Sequence, residues 1–284
     1  MVLPLGGGGG GGTATGGGSA TGGGIQADAG QLDGGFAPFG ILLGQSSKPA
    51  SCGNVVLAGG GSLNTWFSHS VVTGQGPPSV VELRRAGSCF VFSPFNSSQW
   101  DGGTVVTTFF NGGEVIVSGG AQQAFALRSD GGMRYPTFNS SRPLWDGGER
   151  LNVAVAGQAP VPTWTGTIVA SSSLKLLSTN LSGASVSRSQ PLSLSWTPAT
   201  EGVVELSLTA NNASLSCRFP AVDGQGVVSD QLLGILSPGE APGALSHTVR
   251  VEELDAGLGW KMIVQLSSFM TDPAGCPFIA PVLQ

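Results

Sequence analysis

The side chains suited to acid–base chemistry are few: two histidines, His69 and His247, and one tyrosine, Tyr135. His69 lies among serines in residues 64–70, and an imidazole can activate a serine as a nucleophile. The chain has no Gly-x-Ser-x-Gly nucleophile elbow, and His247 falls at the start of a predicted strand. We therefore expect a protein that is not an enzyme and has no catalytic residues. A hydrolase that joins His69 to a serine and an aspartate is the alternative.

Five Asx-Gly-Gly triplets, four of them acidic, begin at Asp33, Asp101, Asn111, Asp130 and Asp146. Asn and Asp tolerate left-handed backbone and Gly adopts a positive φ at little steric cost, so each triplet predicts a tight turn between strands. The carboxylates at 101, 130 and 146 could also converge on calcium, which prefers oxygen ligands. None of them has Asp-x-Asp-x-Asp spacing. We expect turns here, with no metal and no cofactor.

Tryptophan is the strongest candidate for ligand binding. Trp100 and Trp145 each precede a turn and follow an Asn-Ser-Ser sequence, within segments 95–103 and 138–148 that echo one another. An indole beside the amides of Asn96 and Asn139 could stack on a sugar ring and hydrogen-bond to it. These four residues are the predicted carbohydrate site. The alternative is that both indoles cap the hydrophobic core.

The four cysteines, Cys52, Cys89, Cys217 and Cys276, match no Cys-x-x-Cys metal or redox spacing. An even count in a Lys-poor, Gly-rich β protein favours disulfides in an oxidising compartment. Of three connectivities, we expect Cys52 with Cys89 and Cys217 with Cys276. The alternative is that Cys89 and Cys217 are small buried hydrophobes on strands.

The overall composition predicts a protein built of strands and turns. Only 10% of the 284 residues are charged and 47 are glycine, which is typical of strands and turns. The net charge is −5 and the one basic cluster is Arg84-Arg85, so we expect no nucleic-acid partner. No apolar run reaches the eighteen residues of a membrane-spanning helix, so we expect no transmembrane segment.

Residues 1–27 are predicted to be a disordered, Gly-rich tether. Residues 6–24 contain only Gly, Ser, Thr and Ala, so no side chain there is large enough to offset the entropy lost on ordering. The alternative is a low-complexity stretch with no selected function. Because residues 1–5 lack the basic region of a signal peptide, we expect a signal sequence upstream of residue 1, ending at a lipid-modified cysteine.

Two antiparallel β-sandwich domains are predicted after the tether, at 28–171 and 172–284. In the first, short apolar or alternating runs predict strands at 54–57, 79–83, 89–92, 104–110, 114–117, 123–127, 151–155 and 163–169. In the second, strands are predicted at 203–208, 214–219, 247–251 and 261–266, with a capped helical turn at 229–236. Trp164 and Trp196 are expected to be core residues.

Residues 190–198, Gln-Pro-Leu-Ser-Leu-Ser-Trp-Thr-Pro, resemble the second strand of fibronectin type III domains. In that family the inward Trp anchors the core and the Pro ends the strand. The resemblance extends loosely over 172–270 and implies an Ig-like sandwich. The Tyr found at the corner of such domains is missing.

The whole arrangement is similar to a class of exported β-rich lipoproteins from high-GC myxobacteria. The similarity is carried by the Gly-rich head and by residues 110–119, 160–166 and 217–220, followed by Leu232-Leu233. It implies export and an N-terminal lipid anchor, although the lipid-bearing cysteine is not in this sequence.

These observations predict a non-enzymatic protein of the cell surface, periplasm or extracellular space that acts as a structural or interaction module. Its expected partners are an envelope protein or a polysaccharide. Carbohydrate binding through the loop tryptophans is one alternative. A fibre or polymer subunit that assembles through open strand edges is another.

Overall fold

The computed structural model describes residues 38–52, 55–57, 59–73, 80–94, 104–120, 123–131, 133–178, 181–211, 213–253 and 257–284. The predicted tether at 1–27, the triplets at Asp33 and Asp101, and segment 95–103 lie outside these residues.

The fold is all-β, as predicted, with twenty-one strands, one short α-helix and one 3₁₀ helix (Ala221–Asp223) in the described part of the chain. The strands are β1 (Phe39–Ser47), β2 (Ala50–Cys52), β3 (Val55–Leu57), β4 (Gly60–Thr73), β5 (Val80–Ala86), β6 (Cys89–Pro94), β7 (Thr104–Phe110), β8 (Val115–Ser118), β9 (Phe125–Leu127), β10 (Phe138–Ser140), β11 (Arg150–Val155), β12 (Trp164–Val169), β13 (Ser182–Val186), β14 (Leu192–Ser195), β15 (Val203–Ala210), β16 (Ala213–Pro220), β17 (Gln225–Val228), β18 (Gly239–Glu240), β19 (Gly243–Glu253), β20 (Lys261–Phe269) and β21 (Phe278–Leu283). Helix α1 is Asp230–Leu233. No described helix is long and apolar enough to cross a bilayer.

One large sheet runs through the molecule, and the described strands give it thirteen members. Its main path is β10-β4-β1-β20-β19-β15-β16-β6-β5, and β7 joins it by pairing with β4. Most neighbours are antiparallel, but β1 and β20 run parallel from Phe39 opposite Lys261 to Ser46 opposite Ser268. Strands far apart in sequence therefore meet at the centre of the sheet.

A four-stranded sheet, β12-β11-β8-β9, packs on one end of the large sheet and completes a sandwich-like layer pair. Its inward side chains alternate along each strand, as in β11, where Leu151, Val153 and Val155 are buried. They meet Phe67 and Leu266 from the large sheet in one hydrophobic core. Alternation with period two is what places one face of a strand in such a core.

A second core lies under the other end of the large sheet, where β15 and β16 meet the β14–β17 pair and helix α1. Trp196 is 1% exposed there, and its indole N–H donates to the Ala221 carbonyl at 3.0 Å. Trp164 is buried in the first core, so the expectation of core positions for both indoles is confirmed. The predicted helical turn is also confirmed, because Ser229 caps α1 by accepting from the Gln231 N–H.

Strands from either side of the predicted domain boundary at 171/172 pair with one another. β1 pairs with β20, and β6 pairs with β16. The boundary stays a prediction, while the described strands on its two sides share a single sheet.

Residues 171–173, next to that boundary, are fastened to the large sheet by buried hydrogen bonds. The Ser171 carbonyl accepts from the Trp145 indole at 3.1 Å and from the Ser268 hydroxyl at 2.9 Å. The Ser172 N–H donates to His247 Nδ1 at 2.9 Å, so Nε2 carries the ring proton and donates to the Glu201 carbonyl at 2.9 Å. Both nitrogens of this buried histidine are therefore used structurally.

A disulfide joins Cys89 of β6 to Cys217 of β16, which lie directly opposite each other in the sheet. The predicted pairs, Cys52 with Cys89 and Cys217 with Cys276, are therefore wrong. The prediction joined cysteines close in sequence, whereas the sheet places β6 beside a strand more than a hundred residues away. Cys276 is disulfide-bonded as well, and the side chain of Cys52 lies outside the described residues.

Candidate functional site

The outer face of the large sheet is rich in apolar side chains that remain half-exposed. Along β1, Gly40, Leu42 and Gly44 point into the core, so the alternate positions point outward. The register continues this outward row onto the neighbouring strands, with Ile41 opposite both Trp66 of β4 and Ile263 of β20. The outward apolar side chains are Phe39, Ile41, Leu43, Trp66, Phe109 and Ile263.

At one side of this face a groove of about 390 Å³ opens beside β4. It lies along β4 between Leu63, the last residue that pairs with β10, and Phe67, the first residue that pairs with β7. We call it the Trp66 groove; its lining is Leu43, residues 64–66, Phe109 and residues 133–135. Its volume falls in the range of small-molecule sites, roughly 300–1,000 Å³.

Two side chains in the Trp66 groove are unusually exposed for their size. Phe109 is 44% exposed and Met133 is 54% exposed, while Trp66 is half-buried. Phe109 lies opposite Ser68, which makes it the diagonal neighbour of Trp66 on the same face. Exposed aromatic side chains held on a rigid sheet are typical of binding surfaces.

Tyr135 forms the inner wall of the groove, and its hydroxyl is turned away from any ligand. The hydroxyl donates to the Gly113 carbonyl at 2.6 Å and accepts from the Gly112 N–H at 2.8 Å. Burial raises the pKa of this phenol, against a smaller opposing effect of the Gly112 hydrogen bond, so it stays protonated at neutral pH. The hydroxyl of Tyr135 thus holds the loop that begins at Asn111, and its ring forms the wall of the groove.

Asn64 and Arg134 supply the polar part of the lining. The Asn64 Oδ1 accepts from the Thr137 hydroxyl at 2.5 Å, which orients the amide and leaves its NH₂ group to donate. Arg134 is exposed and makes no ion pair with any described residue. The third polar side chain, Thr65, is buried and donates to the Ile41 carbonyl at 2.8 Å. The polar groups left for a ligand are therefore mainly donors, the NH₂ group of Asn64 and the guanidinium of Arg134.

Other cations near this face are neutralised within the protein. Lys261 of β20 and Arg250 of β19 both pair with Glu252. The hydrogen bond from Lys261, followed by that from Arg250 and the charges of both cations, lowers the pKa of the Glu252 carboxyl despite its partial desolvation. Arg134 is thus the one charged side chain of the groove lining, and no described acid pairs with it.

Of the four predicted carbohydrate residues, the structure describes Trp145 and Asn139. Trp145 is 3% exposed, inside the first core, which supports the alternative that it caps the core. Asn139 is exposed on β10, opposite Ser62 of β4. Trp100 and Asn96 lie outside the described residues, and their role stays a prediction.

The remaining candidates occupy separate places. His69 is on β4, opposite Thr108 of β7, and His247 is in the buried cluster at residues 171–173. The Asn111 triplet forms a turn in which Asn111 Oδ1 accepts from the Gly113 N–H at 2.9 Å. Among the described residues, no three His, Cys, Asp or Glu side chains cluster in a way that could hold a metal ion.

Sequence reasoning missed the Trp66 groove because its walls come from β1, β4, β7 and an irregular segment at 133–135. The signal that could have found it is the alternation in residues 63–67, where Leu63, Thr65 and Phe67 are buried and Asn64 and Trp66 face outward.

Comparison with known proteins adds no family. The sequence matches no protein-family model and no curated protein. Among solved structures, the yeast delta-COP-I mu-homology domain aligns with 89% of this chain and 100% of its own length, at 8% sequence identity and a TM-score of 0.22. A likeness at this level carries no argument about fold or function.

Proposed function

We propose that this protein is a non-enzymatic, exported or cell-surface interaction module that binds its ligand through the Trp66 groove. The observation that carries the proposal is the groove itself, where Trp66 and Phe109 on the sheet and Met133 of the adjoining irregular segment remain accessible. Soluble proteins bury such side chains unless something else covers them, so a contiguous aromatic surface supports recognition. An envelope protein or a polysaccharide is the expected partner.

Export is supported by the disulfide between Cys89 and Cys217, since such bonds persist in oxidising compartments. The resemblance of the sequence to Gly-tethered exported lipoproteins points the same way, and adds a lipid anchor to the proposal. Fractionation of native cells tests this part, and we expect the disulfide-bonded protein outside the cytoplasm. Recovery in the cytosol with reduced cysteines would contradict it.

Binding through the groove is tested by retention on immobilised polysaccharides and on immobilised envelope proteins. The variant W66A/F109A removes both aromatic surfaces, and we expect at least a tenfold loss of retention, because each side chain contributes roughly 1 kcal/mol or more at an interface. The matched control is L177A/V222A, which removes two side chains that are 59% and 60% exposed outside the groove. Equal retention of both variants, or no retention of the wild type on any surface, would overturn the proposal.

A second candidate function, a polymer subunit, is favoured by strand β7. This strand, Thr-Val-Val-Thr-Thr-Phe-Phe, is β-branched and aromatic without a charge, and among the described strands its partner is β4. Val106 is 54% exposed on it. By contrast, edge strand β5 carries Glu82, Arg84 and Arg85 and a register shift next to them, which are features that discourage edge pairing.

If β7 of two copies pair, the substitution V106K places two cations in the new interface and suppresses self-association. We expect the wild type to shift to larger species as its concentration rises during sedimentation, and V106K to remain monomeric. The control is V222K, at an equally exposed valine outside any strand. Monomeric wild type at every concentration would remove the polymer function.

A further inference from the structure

We infer that the Trp66 groove takes an acidic carbohydrate, with the apolar face of a uronic-acid ring on the Trp66 indole and its carboxylate on Arg134. This inference rests on the proposed function, because it names the ligand class of that same groove. Three features of the lining support it: its hydrogen-bonding groups are mainly donors, its charge is positive, and its apolar part is flat.

The hydrogen-bonding groups of the lining are complementary to acceptors. The Asn64 amide has its oxygen occupied by Thr137 and presents N–H groups, and the guanidinium of Arg134 has donors alone. The hydroxyls of Tyr135 and Thr65 are already used within the protein. A ligand that satisfies these donors brings acceptors, and a carboxylate brings two strong ones.

The positive charge of the groove also favours a ligand that carries an anionic group. Arg134 is exposed, lacks a described carboxylate partner, and stands in a protein whose net charge is −5. Lys261 and Arg250, two further cations on this face of the sheet, are already paired with Glu252. An anionic group on the ligand would pair with the one unneutralised cation of the lining, and a guanidinium can hold a carboxylate through two parallel hydrogen bonds.

The apolar part of the groove favours a sugar ring over an acidic peptide. Trp66 offers an indole held on β4, with Phe109 diagonal to it, and such flat surfaces stack on the C–H face of a pyranose. A peptide would bring a backbone N–H donor with every carbonyl acceptor, whereas the groups of the lining left for a ligand are mainly the donors of Asn64 and Arg134. Sugar hydroxyls accept as well as donate, so they suit the donors that Asn64 presents.

The test is calorimetric titration of the full chain with oligogalacturonate and with a neutral galactose oligomer of equal length. We expect oligogalacturonate to bind at least tenfold more tightly, and its affinity to fall as salt is raised because the Arg134 contact is screened. In R134Q this preference for the acidic oligomer is lost, with at least a tenfold weaker affinity for it. In W66A both oligomers bind at least tenfold more weakly.

Two control variants accompany the titration. R142Q removes an exposed arginine outside the groove, and L177A removes an exposed apolar side chain outside it; both should bind like the wild type. Thermal melts of all variants show whether each is folded. An R134K variant keeps the positive charge but lacks the planar guanidinium that can hold a carboxylate through two hydrogen bonds. We expect it to bind oligogalacturonate more tightly than R134Q and less tightly than the wild type.

Each alternative result has a distinct meaning. Equal binding of neutral and acidic oligomers that depends on Trp66 and not on Arg134 overturns the acidic ligand and leaves the interaction module standing. Binding of a poly-glutamate peptide through Trp66 and Arg134, with no uronate binding, overturns the sugar class and likewise leaves the module standing. No binding of any oligomer by the wild type overturns this inference, while retention of W66A/F109A equal to its control overturns the proposed function itself.

Discussion

Replacing both cysteines of the cross-strand disulfide, C89A/C217A, is expected to lower the free energy of unfolding by roughly 4–5 kcal/mol. The bond closes a loop of 128 residues, and in the chain-entropy account a loop of this length restricts the unfolded chain by about that amount. The two cysteines are also buried in the second core, at 1% and 0% exposed, so the double variant loses packing as well.

Guanidinium denaturation followed by circular dichroism measures this effect, with the wild type and C89A/C217A compared under oxidising conditions. The double variant is preferable to chemical reduction, because Cys276 is also in a disulfide and a reductant would open both. Peptide mapping of the unreduced wild type provides the independent check. A peptide that links Cys89 to a cysteine other than Cys217, or an unchanged denaturation midpoint, would contradict the pairing.

The substitution W145A is expected to destabilise the protein by about 3–5 kcal/mol, the usual cost of removing a buried aromatic side chain. Trp145 is 3% exposed and fills the first core so closely that a methyl group at Gly44 would lie 2.9 Å from its ring. Its indole also donates to the Ser171 carbonyl, next to the predicted domain boundary. Thermal and chemical unfolding measure the effect.

The variant W145F separates packing from hydrogen bonding. It keeps an aromatic ring, and the Ser171 carbonyl retains its bond from the Ser268 hydroxyl, so we expect a loss of only about 1–2 kcal/mol. Its carbohydrate binding should equal that of the wild type. If W145F were fully stable yet failed to bind ligand, Trp145 would be a binding residue, contrary to its position in the core.

The strands that sequence reasoning found are those with a clear local pattern. The run at 104–110 was predicted as a strand and is β7, and the alternating run at 151–155 lies within β11. β1 was missed because Gly40 and Gly44 interrupt its apolar pattern. Those glycines are required by packing, since a methyl group at Gly40 would lie 2.7 Å from Met262 and from Phe67.

The pairing of strands far apart in the chain could not be predicted from the sequence, for a different reason. Nothing in β1 or β20 specifies that they run side by side, because a parallel pair forms only when the intervening chain has folded. The same holds for Cys89 and Cys217, whose meeting depends on the order of strands in the sheet. The Trp66 groove shares this dependence, since it exists only where β10 and β7 meet the same side of β4.

Hydrogen exchange of the full chain, with and without saturating oligogalacturonate, locates the bound ligand on the protein without any substitution. We expect slower exchange in peptides that contain residues 64–66 and 133–135, with the second core unchanged. Protection confined to other parts of the chain would contradict the groove as the binding site. No protection anywhere would contradict the acidic carbohydrate as its ligand.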